Sequence, residues 1–225
     1  CTAALRERVL MLSQYGQRTR FKHLLFFSGK MNFKWGKSYS LGVRAAVWHR
    51  WHNDSRFLIH AFDQGVQEKL PFAQHAESYA TAKFCLAPAG YGFSSRQYEA
   101  ILIGCVPVTI QDDVEMAFEE VLPWARFSVR LKFADIERLD EVLEAIPDEE
   151  VLRMRRVLGC VWPHMLWLAN GLYGSPLDTS STIRAARPHD AFHTLMWTLR
   201  RRLGKEVPSD GWQVAGESCD TILYN

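Results

Sequence analysis

The sequence has no long apolar run, no C-x-x-C pair and almost no excess of charge. Its longest apolar stretches, residues 100–108 and 161–168, fall far short of the ~20 residues that cross a bilayer. The 27 Lys and Arg residues nearly balance the 25 Asp and Glu residues, which leaves a net charge of +2. That balance excludes a protein that binds nucleic acid or acidic membranes through overall charge, and it argues against disorder.

Cysteine is also too sparse to indicate a disulfide scaffold. The five cysteines are an odd number, and Cys85 and Cys105 lie inside apolar segments, which predicts buried free thiols. The start lacks the basic, apolar and small-residue order of a signal peptide. Because the chain begins at Cys1 rather than at Met, we expect it to be part of a longer protein.

The 225 residues contain 48% hydrophobic and 12% aromatic side chains, which is enough for a substantial core. Short apolar runs predict buried parallel strands at 24–27, 57–62, 84–87, 106–110 and 127–131. Helical spacing separates these runs at 41–52, 72–82, 95–103 and 115–122. This alternation predicts an α/β fold, a Rossmann-like parallel sheet with helices on both faces.

The remaining segments predict three domain parts. Residues 1–20 are expected to be a helical lead-in, 21–168 the Rossmann-like domain, and 169–225 a loop plus a terminal helix that packs back on it. Within these parts, helices are predicted at 2–12, 136–145, 149–167 with a kink at Pro163, and 190–203, and a loop at 171–188.

The segment after the third predicted strand carries the most chemistry. It holds a glycine turn at Gly90 and Gly92, and then Ser94 and Gln97 at the spacing of a capping box, so a helix is expected to begin at Ser95. The N–H groups at a helix start bind anions, and parallel sheets bind ligands beyond the carboxyl ends of their strands. A diphosphate is the ligand that this pattern favours.

Arg96 and Glu99 follow in the first turn of that helix, three residues apart and on one face. Arg96 suits a phosphate, and the Glu99 carboxylate could accept hydrogen bonds from two vicinal ribose hydroxyls. Each feature has a plainer interpretation: a surface ion pair for Arg96 and Glu99, a helix cap for Ser94, and a solvated lysine for Lys30. The glycines would then serve only a tight turn that needs positive φ.

Two other chemistries compete for the same residues. The run from Gly90 to Ser95 reads G-x-G-x-x-S, one glycine short of the dinucleotide fingerprint, with Asp112 at the end of the following strand. An NAD-dependent oxidoreductase is therefore an alternative, although Pro88 interrupts the turn. A metal site at His49 and His52, or at the acidic residues 113–115, lacks a third ligand at a sensible spacing. No G-x-S-x-G elbow indicates a serine hydrolase.

The chain resembles the exostosin family of glycosyltransferases (family 47), in particular its plant and algal members. The residues that carry the resemblance are 83–88, Arg96, 99–101, 104–108, Phe118, 121–124, 127–129, the strand and loop at 24–30, Gly42 with Arg44, and 190–192. The resemblance spans about residues 21–202. Cysteines that plant relatives often carry around the second strand are missing from 60–69.

The resemblance implies a two-domain GT-B enzyme of which this chain is the carboxyl-terminal, donor-binding half. It implies inverting transfer of a sugar from a nucleotide sugar, expected to be UDP-linked, to a glycan or glycoprotein acceptor, without a metal or other cofactor. Glu99 would hold the ribose, while Ser94, Ser95, Arg96 and the Gly90 turn would meet the diphosphate.

The resemblance also implies that Gly29 and Lys30 lie near the phosphates, at the cleft with an amino-terminal domain. The family works on the lumenal side of the Golgi membrane, through an anchor that would lie outside this chain. We assign no catalytic base, because an inverting enzyme's base is expected in the missing domain, and this chain alone is not expected to be active. A non-catalytic nucleotide- or sugar-binding module remains a third hypothesis.

Overall fold

A computed structural model describes residues 21–63, 68–92, 94–168, 181–206, 213–214 and 217–224. Its centre is a five-stranded parallel sheet in the order β2-β1-β3-β4-β5. The strands are β1 His23–Gly29, β2 Phe57–Ala61, β3 Ala82–Leu86, β4 Val106–Ile110 and β5 Val129–Leu131. The predicted Rossmann-like α/β fold is confirmed, and each predicted strand has its counterpart in the sheet.

Helices connect the strands and cover the sheet. They are α1 Val43–Trp51, α2 Phe72–Thr81, α3 Arg96–Ile103, α4 Leu139–Glu144, α5 Asp148–Val161, α6 Ser181–Ala186, α7 Ala191–Arg202 and α8 Cys219–Tyr224. Short 3₁₀ helices lie at Phe33–Ser38, Ser40–Gly42, Trp124–Arg126, Phe133–Arg138, Pro163–Met165 and Arg187–His189. A two-stranded antiparallel ribbon, β6 Gln213–Val214 and β7 Glu217–Ser218, precedes α8.

Both faces of the sheet are buried, which explains why the strands read as continuous apolar runs. Side chains alternate along β1: Phe27 packs in the larger core cluster, whereas Phe26 packs with Tyr79 and Cys85 in a smaller one on the α2 and α3 side. Gly104 is the C-cap residue of α3. It adopts φ +78°, a left-handed conformation that glycine accepts readily.

Three helix and loop predictions were wrong. Residues 115–122 form turns rather than a helix, and Phe118 adopts φ +56°, which breaks helical geometry. Pro163 does not kink a long helix: α5 ends at Val161 and a 3₁₀ turn follows, because proline cannot donate the next helical hydrogen bond. The predicted loop at 171–188 contains α6, while residues 169–180 lie outside the described part.

The free-thiol prediction for Cys85 and Cys105 was also wrong. They form a disulfide between β3 and the residue before β4, and a second disulfide joins Cys160 of α5 to Cys219 of α8. Because β3 and β4 are neighbours, residues twenty apart in sequence reach a Cα separation of 5.9 Å. Buried apolar surroundings are shared by thiols and disulfides, so composition alone did not distinguish them.

The predicted lead-in at 1–20 lies outside the described residues, and the division into three domain parts stays a prediction. The helix predicted at 190–203 is α7, and Asp190 is its N-cap, since the Asp190 carboxylate accepts the N–H groups of Phe192 and His193. Among the helices that the structure describes, none has both the length and the apolarity that a membrane span needs.

Candidate functional site at the sheet's switch point

The strand order reverses direction between β1 and β3, and the candidate site lies at that point. From β1 the chain moves to β2 on one side, whereas β3, β4 and β5 extend on the other. The loops that leave β1 and β3 therefore diverge and open a crevice at the carboxyl ends of the strands. Gly29 is the last residue of β1 and Lys30 follows it, while Ala89 and Gly90 follow β3, so both predicted loops border this crevice.

Arg44 joins the two loops across the switch point. Its Nη1 donates to the carbonyl oxygen of Lys30 at 3.0 Å and to the hydroxyl of Tyr39 at 2.8 Å. Its Nε donates to the carbonyl oxygen of Ala89 at 3.1 Å. The guanidinium also lies over the rings of Phe27 and Tyr39, 5.4 Å and 4.9 Å from their centroids. Arg44 thus fixes the distance between the loop after β1 and the loop after β3.

The charge of Arg44 is buried without a hydrogen-bonded carboxylate among the described residues. Burial lowers the pKa of Arg44, and the positive charge of Arg96 lowers it further, while Tyr39 and Asp63 act in the opposite direction. No described residue accepts a hydrogen bond from its Nη2, which lies 3.7 Å from the position that a Cβ on Gly90 would take. Arg44 thus brings to the switch point a buried positive charge that no hydrogen-bonded carboxylate among the described residues compensates.

From the sequence, Arg44 was named only among the residues that carry the family resemblance, and it was not predicted to lie in the site. One physical signal was available: Arg44 is the second residue of α1, and a cation in the first turn of a helix opposes the helix dipole. A cation at such a position needs another reason to be there. The contacts with the two loop carbonyls supply that reason.

Gly29 is required because β1, Phe27 and Arg44 pack closely around it. A Cβ at this position would lie 2.6 Å from Cζ of Phe27 and 3.3 Å from Nη1 of Arg44. Any side chain would displace the buried ring of Phe27 or the guanidinium of Arg44.

The glycine turn after β3 is not a positive-φ turn, so that plainer interpretation of Gly90 and Gly92 was wrong. Neither residue adopts positive φ. The N–H of Gly90 donates to the carbonyl of Gly92 at 3.3 Å, and the carbonyl of Gly90 accepts the N–H of Ser40 at 3.0 Å. A Cβ at Gly92 would meet open space. Bare backbone therefore borders the crevice here.

The helix after the turn begins at Arg96, one residue later than predicted, and the capping box does not form. The hydroxyl of buried Ser94 accepts the N–H of Arg96 at 3.3 Å, and Oε1 of Gln97 has no hydrogen-bond partner. Ser95 occupies the N-cap position without a side-chain cap and is exposed. Ser94 is thus not the N-cap residue; its hydroxyl makes only a local turn contact before the helix.

Arg96 and Glu99 form an ion pair in which Nη1 of Arg96 donates to Oε2 of Glu99 at 2.6 Å. The pair is not the solvated surface pair of the plainer interpretation: its side chains are 17% and 15% exposed. By contrast, Arg138 and Glu141, at the same i,i+3 spacing, are 72% and 65% exposed. The hydroxyl of Tyr79 also donates to Oε2 of Glu99, at 3.2 Å.

One carboxylate oxygen of Glu99 remains available to a ligand. Both hydrogen bonds from described residues end on Oε2, so Oε1 has no donor among them. Glu99 and Arg96 line a cavity of about 330 Å³, which is within the size range of small-ligand pockets. The Nε of Arg96 is buried without a partner and belongs to the same cluster. Further lining residues are Ser28, Phe62, Lys69, Leu70 and His75.

The structure brings some predicted site residues together and separates others. Arg96 and Glu99 share the cavity just described. Gly90 and Ser94 line a second cavity of about 370 Å³, on the side of Gln111. Lys30 is exposed and lines a third cavity of about 590 Å³, with Trp35 and Asp63 among its walls. Lys30 and Gly29 are thus joined to the β3 loop through Arg44 rather than through a shared cavity.

The residues of the competing chemistries have other roles. Asp112 accepts the N–H of Phe133 at 3.0 Å, which holds two loops together. The ring of His49 contacts Phe33, and His52 stacks on Trp48. Across the described part of the chain, no three His, Cys, Asp or Glu side chains gather in a metal-binding group.

Comparison with known proteins gives a family match over most of the described sheet. The family described as the Exostosin GT47 domain matches residues 2–146, which include both loops of the switch point, Arg96 and Glu99.

Curated plant proteins are similar over a longer range. A probable glucuronosyltransferase of Oryza sativa subsp. japonica is 34% identical over 171 residues, 75% of this chain and 35% of the relative. The probable beta-1,4-xylosyltransferase IRX10 of Arabidopsis thaliana is 34% identical over 169 residues, 75% of this chain and 36% of the relative. Probable glucuronosyltransferase 47 A of Physcomitrium patens is 31% identical over 171 residues, 75% of this chain and 33% of the relative. The chain therefore spans about a third of the length of these relatives.

Proposed function

The chain belongs to the exostosin GT47 family, and from this premise we propose that it is the donor-binding part of a glycosyltransferase. The donor is a nucleotide sugar, with UDP as its nucleotide, and the acceptor is a glycan or glycoprotein. The relatives' names, glucuronosyltransferase and beta-1,4-xylosyltransferase, support transfer of a glucuronosyl or xylosyl group, with a β-1,4 linkage formed in the xylosyl case.

The observation that carries this proposal is the shielded Arg96–Glu99 pair at the start of α3, beside the switch point. In it, Oε1 of Glu99 accepts the hydroxyls of the donor ribose in the cavity of about 330 Å³. Arg96 meets the diphosphate, and Ser94, Ser95 and the backbone at Gly90 border it. Gly29 and Lys30 approach the phosphates from the β1 side of the crevice.

These residues would stabilise the transition state of the transfer, because negative charge grows on the diphosphate as the glycosidic bond breaks. Arg96 is already held in place by its hydrogen bond to Glu99, so it stabilises that charge with little reorganisation. Arg44 keeps the two loops at a fixed separation and adds to the positive potential. The base that deprotonates the acceptor hydroxyl belongs to the part of the protein outside this chain, and no metal is assigned.

We also propose that the protein works in the lumen of the Golgi, held there by an anchor outside this chain. The two buried disulfides support an oxidising compartment, because cytosolic proteins rarely keep such bonds.

Glu99→Gln tests the ribose contact. The variant keeps the shape of the side chain and removes its charge, so UDP affinity is expected to fall by about tenfold, the effect of losing ~1–3 kcal/mol in a shielded charged hydrogen bond. The sharper measurement compares UDP with 2′-deoxy-UDP by calorimetry. The wild-type chain should prefer UDP, and Glu99→Gln should lose most of that preference.

Glu141→Gln is the matched control, because it removes a carboxylate from an exposed ion pair of the same spacing. It should leave both affinities unchanged. If Glu99→Gln kept the preference for UDP, Glu99 would not contact the ribose and the Arg96–Glu99 pair would be purely structural.

A ligand panel tests the proposed function itself. UDP and UDP-sugars should raise the melting temperature of the chain, and EDTA should not alter that effect. Stabilisation by NADH without stabilisation by UDP would favour the oxidoreductase hypothesis instead. Binding of UDP without UDP release in an acceptor assay of the full-length protein would indicate a non-catalytic module.

A further inference from the structure

We propose that Trp35 and Tyr91 form a sugar-binding subsite, occupied by a pyranose of the acceptor glycan. This inference rests on the proposed function, and it assigns to the donor-binding part a direct contact with the acceptor. The pair is called the aromatic platform below.

The aromatic platform is exposed and built as one unit. The rings of Trp35 and Tyr91 meet edge to face, with centroids 5.7 Å apart and planes at 85°. Trp35 is 56% exposed and Tyr91 is 69% exposed, so both leave apolar ring surface in contact with water. Single exposed apolar side chains are common on protein surfaces, but here two rings in contact form one continuous apolar surface.

A buried support holds the platform in place. The ring of Tyr91 also contacts Tyr39, with centroids 5.3 Å apart, and Tyr39 in turn accepts a hydrogen bond from Arg44. The 3₁₀ helix Phe33–Ser38 carries Trp35, and the loop after β3 carries Tyr91. The same arginine that joins the two loops therefore also fixes the two rings, so little ordering is required when a ligand binds.

The rim of the platform suits sugar hydroxyls. Trp35 lines the cavity of about 590 Å³ together with Lys30, Lys34 and Asp63. Oδ2 of Asp63 accepts the N–H groups of Met31 and Asn32, both at 2.8 Å, and no described residue donates to Oδ1.

A carboxylate fixed by one oxygen can accept hydroxyl hydrogens with the other, and the exposed lysines can donate to ring and hydroxyl oxygens. A pyranose presents C–H groups on its faces and hydroxyls around its edge. It therefore matches an aromatic surface with a charged rim better than a lipid or an apolar peptide does.

The position of the platform indicates the acceptor rather than the donor. Tyr91 lines the cavity that Gly90 and Ser94 share, whereas Trp35 lines the cavity on the Lys30 side. The platform thus stands between two cavities at the edge where the donor diphosphate is proposed. A sugar there lies next to the donor without occupying the Glu99 cavity, as transfer between two bound substrates requires.

Trp35→Ala tests the subsite with xylohexaose as the probe, measured on the 225-residue chain by saturation-transfer NMR and by titration. The wild-type chain should bind xylohexaose, and Trp35→Ala and Tyr91→Ala should each bind it about tenfold more weakly or not at all. Trp35→Phe should keep most of the affinity. Trp167→Ala is the matched control, because Trp167 is also 56% exposed and lies outside both cavities; it should bind as the wild type does.

Further measurements separate this proposal from the proposed function. UDP affinity should be unchanged in Trp35→Ala, and thermal unfolding verifies that each variant is folded. Binding of UDP without any binding of xylohexaose or cellohexaose would overturn the subsite and leave the proposed function standing.

Equal glycan affinity in Trp35→Ala, Tyr91→Ala and the wild type would also overturn it. So would a change of oligomeric state in Trp35→Ala with glycan affinity unchanged, since the platform would then be a protein interface. If the wild-type chain bound neither UDP nor a glycan, both proposals would fail together.

Discussion

Arg44→Gln is expected to lower the free energy of unfolding by about 3 kcal/mol, and the melting temperature by ~6–12 °C. The arginine makes three hydrogen bonds from a buried position, two of them to loop carbonyls at the switch point. Glutamine is shorter and cannot reach both loops, so the carbonyls of Lys30 and Ala89 lose a shared donor. Chemical denaturation and thermal unfolding measure the effect.

UDP affinity should fall together with stability in Arg44→Gln, by about tenfold, because the loops that border the diphosphate are no longer tied together. Arg44→Lys separates charge from geometry. Lysine keeps the positive charge but lacks the planar fork that reaches several acceptors at once, so it should restore only part of either property.

Arg50→Gln is the matched control on the same helix. Arg50 pairs with Glu137 at the surface, so its loss should change stability by less than ~1 kcal/mol and leave UDP affinity unchanged. If Arg44→Gln were as stable as the wild type and bound UDP equally well, the two loops would be held by other contacts. Arg44 would then not be the residue that sets the separation of the loops at the switch point.

The contrast between Arg44 and the strands shows what local sequence patterns can predict. The run at 24–27 lies inside β1 and the run at 106–110 coincides with β4, because strands buried on both faces must be apolar throughout. The alternation with helices then predicted a parallel sheet. The order of the strands is not contained in any local pattern, and it is this order that makes the end of β1 face the end of β3.

In the candidate site, too, contacts between residues close in sequence were predicted, whereas contacts that depend on the order of the strands were not. Arg96 and Glu99 were predicted to share a face because three residues along a helix bring them there, and they form a pair. The resemblance implied that Lys30 lies near the phosphates. In the structure, its side chain lines a different cavity from the one that Arg96 and Glu99 line. The pairing of Cys85 with Cys105 depends on the neighbouring positions of β3 and β4, so no spacing rule along the chain could reveal it.

The segment 115–122 shows that a helical spacing of apolar residues does not guarantee a helix. The apolar spacing at 115–122 is helical, but Phe118 takes positive φ and the segment folds as turns, with Val121 and Leu122 buried. Packing of these side chains against the core outweighs their local helix preference. Phe118 itself offers no sign of this in sequence, because positive φ is expected of glycine or asparagine rather than of an aromatic residue.

The second large loss of stability is expected when the Cys160–Cys219 disulfide is removed. The double substitution Cys160→Ala and Cys219→Ala removes it. The two cysteines are 59 residues apart, and closing a loop of that length in the unfolded chain corresponds to ~4 kcal/mol of stability on the chain-entropy estimate. The corresponding melting-temperature loss is ~8–16 °C. Thermal unfolding with and without dithiothreitol measures it, and the reductant should have a smaller effect on the double variant than on the wild type.

A comparison with the disulfide between Cys85 and Cys105 tests whether the bridges stabilise the protein by constraining the unfolded chain. The separation of this disulfide is 20 residues, which corresponds to ~3 kcal/mol, and it joins segments that β3 and β4 already hold together by strand pairing. Helix α8 has no such pairing with the sheet; it is tied to α5 by Cys219 and to Arg126 through the carbonyl of Leu223. Loss of the longer bridge should therefore expose amides of α8 to hydrogen exchange well before global unfolding.

UDP affinity should survive that loss, because none of the residues lining the three cavities belongs to α5 or α8. A larger loss of stability from Cys85→Ala and Cys105→Ala than from the Cys160 and Cys219 pair would contradict the loop-length argument. It would mean that packing of the sulfur atoms between β3 and β4, rather than the constraint on the unfolded chain, accounts for most of the stabilisation.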